Sequence, residues 1–289
     1  MNPLAAHPAE APAPRAKGAA ALPIGVFDSG VGGLTVLRAL RAELPHEALL
    51  YLGDTARLPY GTKSANTVAR YAIQAAGHLV EHGIKLLVVA CNTASALALD
   101  ELTAAFAEIP VLGVVEPGAE AACRESRAGR IVVLATESTA RDGAYERAIR
   151  RRRPEADVVS KGCSVFVSLA EEGWAHGPVA ELVAHEYMDD VLREHRPDCV
   201  LLGCTHFPVL ADVIHRVAGE GVSLVDSAAT TAVAVRGELE RRGIAAARQD
   251  PGEIRLFATD SPDRFHRVAG RFLPNGILPR GVELVDLAR

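Results

Sequence analysis

What most constrains this chain is a repeated alternation. Short, almost wholly apolar runs, most of them closed by a polar cluster, alternate with longer stretches of helical spacing. The runs fall at 24–27, 49–52, 86–90, 111–115, 131–134, 158–159, 199–202, 223–225, 254–258 and 282–285. Helical spacing covers 34–44, 68–81, 94–106, 141–152, 164–173, 178–195, 209–218 and 230–241. A strand with one wet face alternates apolar and polar residues. An unbroken run belongs to a parallel strand covered on both faces. Strand, helix and strand in succession build βαβ units, so the expected fold class is α/β.

The pattern also repeats on a larger scale. The segment from Lys85 through Cys91 to Thr93 parallels the one from Asp198 through Cys204 to His206, and the two cysteines are 204 − 91 = 113 residues apart. The segment from Ile24 to Ser29 parallels that from Ile131 to Thr136, an offset of 131 − 24 = 107. Each match pairs an apolar run with its polar end. Two related α/β halves are therefore expected. Residues 1–22 are mostly Ala and Pro; such a segment buries little, so it is expected to be a disordered tail, with order starting at Leu22 and Pro23.

Composition narrows the function classes. With 31 Lys and Arg against 36 Asp and Glu the net charge is −5, and aromatics are only 4%. A general nucleic-acid binder needs a basic face and stacking platforms, so no nucleic-acid partner is expected. The basic run Arg150 to Arg153 reads as a solvated helix end. No apolar run approaches the ~20 residues of a membrane span, and no secretory pattern opens the chain. Five scattered cysteines without metal spacing fit a reducing cytosol, and no metal site is expected.

In open parallel sheets, sites form at the carboxyl ends of strands. Four polar clusters fall there: Asp28-Ser29-Gly30, Cys91-Asn92-Thr93, Thr136 to Thr139, and Cys204-Thr205-His206. A helix N-terminus offers free N–H groups and partial positive charge, and a cysteine placed there can have its pKa lowered from about 8.5 toward neutrality. Cys91 and Cys204 both stand at such places. If the halves face each other, so do the thiols. Cys123, Cys163 and Cys199 read as small buried hydrophobes. Asp28 is either a cap for the helix at Leu34 or a functional carboxylate. Gly30, Gly32 and Gly33 permit close backbone approach to a ligand, but they complete no nucleotide-binding motif, because position 35 is Thr. His206 is a candidate acid/base or a satisfied core histidine. The stretch from Asp54 to Gly61 is a loop carrying Arg57 and Tyr60, readable as ordinary surface. Two opposed thiols can remove a proton from one face of a carbon and return one to the other, which inverts a stereocentre; neighbouring Asn, Thr and Ser groups would hold carboxylate and ammonium.

The segments 24–35, 53–61, 90–94, 113–118 and 203–208 together resemble the glutamate racemases of the aspartate/glutamate racemase family, and the resemblance runs from about residue 23 to the end, including 225–228 and 257–260. It implies two pseudo-symmetric α/β domains with largely parallel sheets and the site in the cleft between them. One domain would be discontinuous, 23–114 plus 226–289, around a second at 115–225. It implies interconversion of L- and D-glutamate without a cofactor, in the cytoplasm, supplying D-glutamate for peptidoglycan and hence cell-wall biogenesis and cell shape. Cys91 would deprotonate D-glutamate and Cys204 L-glutamate, with Asp28 and His206 assisting, one near each thiol. Ser29, Tyr60, Gly61, Asn92, Thr93, Thr136, Thr139 and Thr205 match substrate-contacting positions, and Glu171 matches a further family acid. Ser168 stands where many relatives carry Pro, three residues before Glu171. Glutamate is the expected small-molecule partner, and a homodimer is a common state of such proteins.

The nearest rival is an aspartate racemase of the same superfamily; relatives acting on aspartate tend to carry an acid where this chain has His206. A rival of another class is a catalytically silent amino-acid-binding protein, which would need neither thiol. A redox or metal protein lacks suitable spacing.

Overall fold

The computed structural model describes residues 18–273 and 281–287. Among the described residues ten strands lie in two sheets, and every pairing is parallel. The first sheet uses β1 (Ile24–Asp28), β2 (Leu49–Gly53), β3 (Leu86–Val89), β4 (Val111–Gly113), β9 (Ile254–Ala258) and β10 (Glu283–Leu284), in the order β10-β9-β2-β1-β3-β4. The second uses β5 (Arg130–Ala135), β6 (Asp157–Gly162), β7 (Cys199–Gly203) and β8 (Ser223–Asp226), in the order β6-β5-β7-β8.

The sequence repeat has a direct structural meaning. Strands β1 and β5 are the 107-residue match, and β3 and β7 contain the 113-residue match. Each sheet then carries the same order around them, β2-β1-β3-β4 and β6-β5-β7-β8. In both, the chain leaves the first strand to one side and returns on the other. That reversal opens a crevice at the carboxyl ends of β1 and β3, and of β5 and β7. The molecule is thus two pseudo-symmetric α/β halves, the first extended by β9 and β10.

The apolar runs are buried on both faces, as parallel strands require. Along β1, Ile24 and Val26 enter one core with Leu34, Leu37 and Leu40 of α1 (Leu34–Glu43). Phe27 enters another with Val68, Ala72, Ala75 and Leu79 of α2 (Ala65–Glu81). Successive strand residues point to opposite faces, so one strand serves two cores.

Several expected elements differ. The helix expected at 94–106 begins at Asn92 and is two: α3 (Asn92–Leu97) and α4 (Leu99–Ala105), broken at Ala98, whose φ of −144° is not helical. The strand expected at 111–115 stops at Gly113, and α5 (Val115–Glu125) follows at once. The helix expected at 141–152 starts at Glu137 and breaks at Gly143, in the left-handed region at φ 73°, giving α6 (Glu137–Asp142) and α7 (Ala144–Arg152). Further on come α8 (Val165–Glu172), α9 (Pro178–His195), α10 (Ala211–Ala218), α11 (Ser227–Arg242) and the unexpected α12 (Pro262–Ala269). Most of the expected tail, residues 1–17, lies outside the described residues. Order nevertheless starts before Leu22: the Ala21 and Leu22 amides close turns onto Gly18 and Ala19, and Ala20 accepts from Lys85 Nζ at 3.1 Å.

Candidate active site

The four polar clusters at strand ends converge. Cys91 caps α3, its sulfur accepting from the Ala94 amide at 3.5 Å, and its thiol reaches Ser29 Oγ at 3.4 Å. Cys204 follows β7 directly, and its sulfur is 3.8 Å from His206 Nδ1. Both thiols are buried, and all five cysteines are free. Each sits at the end of the strand that flanks its sheet's crevice.

The two thiols have different surroundings. Burial, joined by the charge of Asp28, pushes Cys91 up to about 12; the Ser29 and Ala94 hydrogen bonds only partly oppose this. The expectation that a helix N-terminus lowers the Cys91 pKa is therefore corrected: loss of water outweighs one weak N–H···S contact. On the other side, burial alone would push the His206 imidazole down. Hydrogen bonds and charge from Cys204 and Glu171 overcome it and raise His206 to about 10. His206 Nε2 lies 3.1 Å from Glu171 Oε1, and Glu171 Oε2 accepts from Arg264 at 3.1 Å. Burial works against ionised Glu171, but His206 and Arg264 more than offset it and hold its carboxyl below the ordinary value. Ser168 does not prevent α8 from delivering Glu171 to His206.

Asp28 is fully buried at the end of β1. It is not a cap of α1: no side chain caps that helix, and Asp28 Oδ2 accepts instead from the Gly30 amide at 2.9 Å. Among the described residues no donor lies in hydrogen-bonding geometry to its Oδ1. Burial raises its pKa against the lowering charge of His206.

The hydroxyl residues form one group. Thr93 Oγ1 lies 3.0 Å from Thr136 Oγ1 and 3.1 Å from Thr139 Oγ1, and Thr136 and Thr139 are 3.0 Å apart. Three rotatable hydroxyls facing one another can redirect their protons toward a carboxylate. Gly61 stands over this triangle: a Cβ there would fall 2.7 Å from Thr136 Cβ. Gly32 has a similar role across the crevice, where a Cβ would fall 2.4 Å from both His206 Nδ1 and Thr205 Oγ1. What the glycine loop lets approach is thus the Cys204-Thr205-His206 cluster. Thr35 Oγ1 adds a hydrogen bond to the Thr205 carbonyl at 3.1 Å.

The Asp54–Gly61 segment is not ordinary surface. Asp54 is fully buried and accepts from Arg57 Nε at 2.7 Å, the Tyr60 hydroxyl at 2.5 Å and Thr259 Oγ1 at 2.9 Å. Tyr60 is buried with its hydroxyl turned to Asp54, so its proton is held far above neutral pH. Sequence reasoning passed over Tyr51, Tyr145 and Arg264. Tyr51 donates to the Gly30 carbonyl at 2.9 Å, Tyr145 accepts from Asn92 Nδ2 at 2.7 Å, and Arg264 binds Glu171. Their partners are 21, 53 and 93 residues away, so no local motif marks them. The Arg150–Arg153 run is a solvated helix end: Arg151 and Arg152 both pair with Glu116.

Two α/β halves with a buried cysteine at each crevice define the class, and the chain belongs to the Asp/Glu/hydantoin racemase family, whose sequence pattern matches residues 34–235. Similar chains within it are glutamate racemases. That of Geobacter metallireducens is 51% identical over 250 residues, covering 86% of this chain and 92% of its own. That of Syntrophus aciditrophicus is 46% identical over 265 residues, covering 92% and 97%. The Francisella tularensis glutamate racemase, solved in complex with D-glutamate, superposes with a TM-score of 0.86 at 35% identity, over 93% of this chain and 99% of that one. Among the described residues no helix is long and apolar enough to cross a membrane, and no cluster of His, Cys, Asp and Glu is placed to hold a metal ion.

Proposed function

We propose that this chain interconverts L- and D-glutamate by proton transfer through Cys91 and Cys204, without a cofactor. The observation that carries the reading is the matched placement of the two buried thiols, one at the carboxyl end of β3 and one at the end of β7, at the same step of the two related sheets. Glutamate as substrate is supported by its relatives' names and by the D-glutamate complex of one of them.

The electrostatics assign a starting state. Cys91 holds its proton, and a protonated His206 stands between the Cys204 sulfur and Glu171. L-Glutamate meets Cys204 as the base. The Cα–H bond breaks, its electron pair stays on Cα and spreads into the α-carboxylate, and the proton forms an S–H bond at Cys204. Cys91 gives its proton to the opposite face, and D-glutamate results. Cys91 is left as a thiolate, which burial and the nearby Asp28 make a strong base toward D-glutamate in the reverse direction. The hydroxyl triangle of Thr93, Thr136 and Thr139 supplies donors for a carboxylate, and Ser29 and Thr205 line the two thiols.

The same reading places the chain in the cytoplasm, as a homodimer supplying D-glutamate for peptidoglycan. It divides the chain into a discontinuous domain, 23–114 with 226–289, and an inserted one, 115–225. The test is a chiral assay of L-glutamate and of L-aspartate with purified, reduced protein and neither pyridoxal phosphate nor added metal. D-Glutamate formation well above D-aspartate supports the reading; the reverse preference overturns it.

A further inference from the structure

The loop that brings Ser29 to Cys91 is held by a phenol that the proton transfers do not use. Tyr51, on β2, is fully buried. Its hydroxyl donates to the Gly30 carbonyl at 2.9 Å, and among the described residues no other donor reaches that oxygen. Gly53 stands two residues further along the strand, on the same face. A Cβ there would fall 2.2 Å from the Gly30 oxygen. Strand β2 thus clears space for this carbonyl at position 53 and supplies its donor from position 51.

The amide of Gly30 is held as well, by Asp28 Oδ2 at 2.9 Å. Ser29 lies between the two grips, and its Oγ receives the Cys91 thiol at 3.4 Å. The phenol has one proton, and a carbonyl only accepts, so that proton is committed to Gly30. Burial, joined by the charge of Asp28, holds the phenol's pKa well above its ordinary value, so the proton stays on it. The ring is packed against Phe265 of α12, with centroids 6.1 Å apart. Tyr51 therefore gives no proton to a substrate; what it fixes is a peptide.

Glycine makes that peptide dependent on its hydrogen bonds. With no Cβ, Gly30 can adopt dihedrals closed to other residues, so loss of the phenol leaves its peptide free to turn. A buried carbonyl without a donor is also costly, which favours the turn. The turn would carry the adjoining Asp28 and Ser29 contacts with it. We infer that Tyr51 is a positioning residue for the Cys91 half of the reaction, holding the Asp28–Ser29 turn at that thiol through the Gly30 peptide. The inference rests on the proposed racemisation of glutamate.

Deuterium at Cα of glutamate reads the two thiols separately, since Cys91 takes the label from D-glutamate and Cys204 takes it from L-glutamate. Primary isotope effects on kcat/KM are measured in H₂O for both labelled enantiomers, with wild type and with Tyr51→Phe, which keeps the ring in the core. Misplaced groups at Cys91 predict that kcat/KM falls by about 10–10²-fold. The fall is equal in the two directions, because the equilibrium constant between enantiomers is one. A slower transfer at Cys91 raises the isotope effect on D-glutamate, whose label leaves in that step. It lowers the effect on L-glutamate, whose label leaves before it. Ser29→Ala breaks the contact at the thiol without touching the core, and the same opposed shifts are expected of it if Tyr51→Phe fails to fold. Isotope effects that stay put or move together would overturn the inference, as would the reverse pair of shifts or a kcat/KM within about two-fold of wild type. A wild-type chain that racemises no glutamate overturns the functional reading itself, a result seen before any variant is made.

Discussion

Replacing Gly32 by Ala should disable the site while leaving the fold standing. The added Cβ would lie 2.4 Å from His206 Nδ1 and 2.4 Å from Thr205 Oγ1. Ordinary contact begins at 3.4 Å, so something must retreat by 3.4 − 2.4 = 1.0 Å. His206 has little room to do so. Its Nε2 is held by Glu171 at 3.1 Å, its Nδ1 is 3.8 Å from Cys204, and its ring stands edge-on to Phe272 at 5.5 Å. Overpacking of this kind costs about 1–3 kcal/mol of stability. From a native stability of about 5 kcal/mol or more, at least ~2 kcal/mol remains, and under about 5% of the protein is unfolded. A displacement of about 1 Å at a catalytic group, by contrast, can cost about 10²-fold in rate. Urea unfolding and a chiral rate assay on the same preparation separate the two effects. Gly237→Ala is the control, since a Cβ there meets nothing within 4 Å. If Gly32→Ala keeps kcat/KM within about three-fold of wild type, the steric argument and the placement of His206 beside the reacting sulfur are both refuted.

Other predictions concern the thiols and their partners. Cys91→Ser and Cys204→Ser should each lower racemisation by about 10²–10⁴-fold with the fold retained, as far-ultraviolet circular dichroism would show; a loss of only a few-fold for either contradicts its role. His206→Asn should change kcat unequally in the two directions, while kcat/KM falls equally, because the equilibrium constant between enantiomers is one; equal kcat changes would remove the assigned asymmetry. His206 is raised from 6.5 to about 10, so its contribution to stability is complete below about pH 6.5 and is lost as pH rises toward 10. Urea midpoints at pH 6.5 and 9 should therefore fall more in wild type than in His206→Asn; parallel falls would contradict the raised value. Lys85 is buried against Glu47 at 2.6 Å and also donates to the Ile244 carbonyl at 2.8 Å. Lys85→Met strands the Glu47 charge and should destabilise by about 3–5 kcal/mol in urea unfolding, whereas a change under about 1 kcal/mol would show the pair to be dispensable.

The sequence carried the strand ends well because parallel strands announce themselves. Unbroken apolar runs ending in Asp28, Cys91, Thr136 and Cys204 marked where the crevices open, and the two offsets anticipated the shared strand order. Helix α5 was not expected from the sequence, although Pro117 falls in its first turn, where a proline has no intrahelical N–H to lose. Helix α12 was missed too, and with it Arg264, the partner of Glu171. The state of Cys91 was misjudged because sequence shows the helix N-terminus but not the burial that opposes it. Tyr51 and Tyr145 act through partners set by the fold rather than by spacing, and Asp54, besides Arg57 and Tyr60 of its own loop, holds the distant Thr259.

The most direct test of the two-thiol account follows the label at Cα. L-Glutamate is incubated with the protein in D₂O, and both enantiomers are analysed at low conversion. The account predicts D-glutamate carrying deuterium at Cα beside recovered L-glutamate that is still protium, because the proton removed by Cys204 is not the one delivered by Cys91. D-Glutamate that retains the original protium, or a Cys91→Ser/Cys204→Ser double variant that still inverts the substrate, would contradict it.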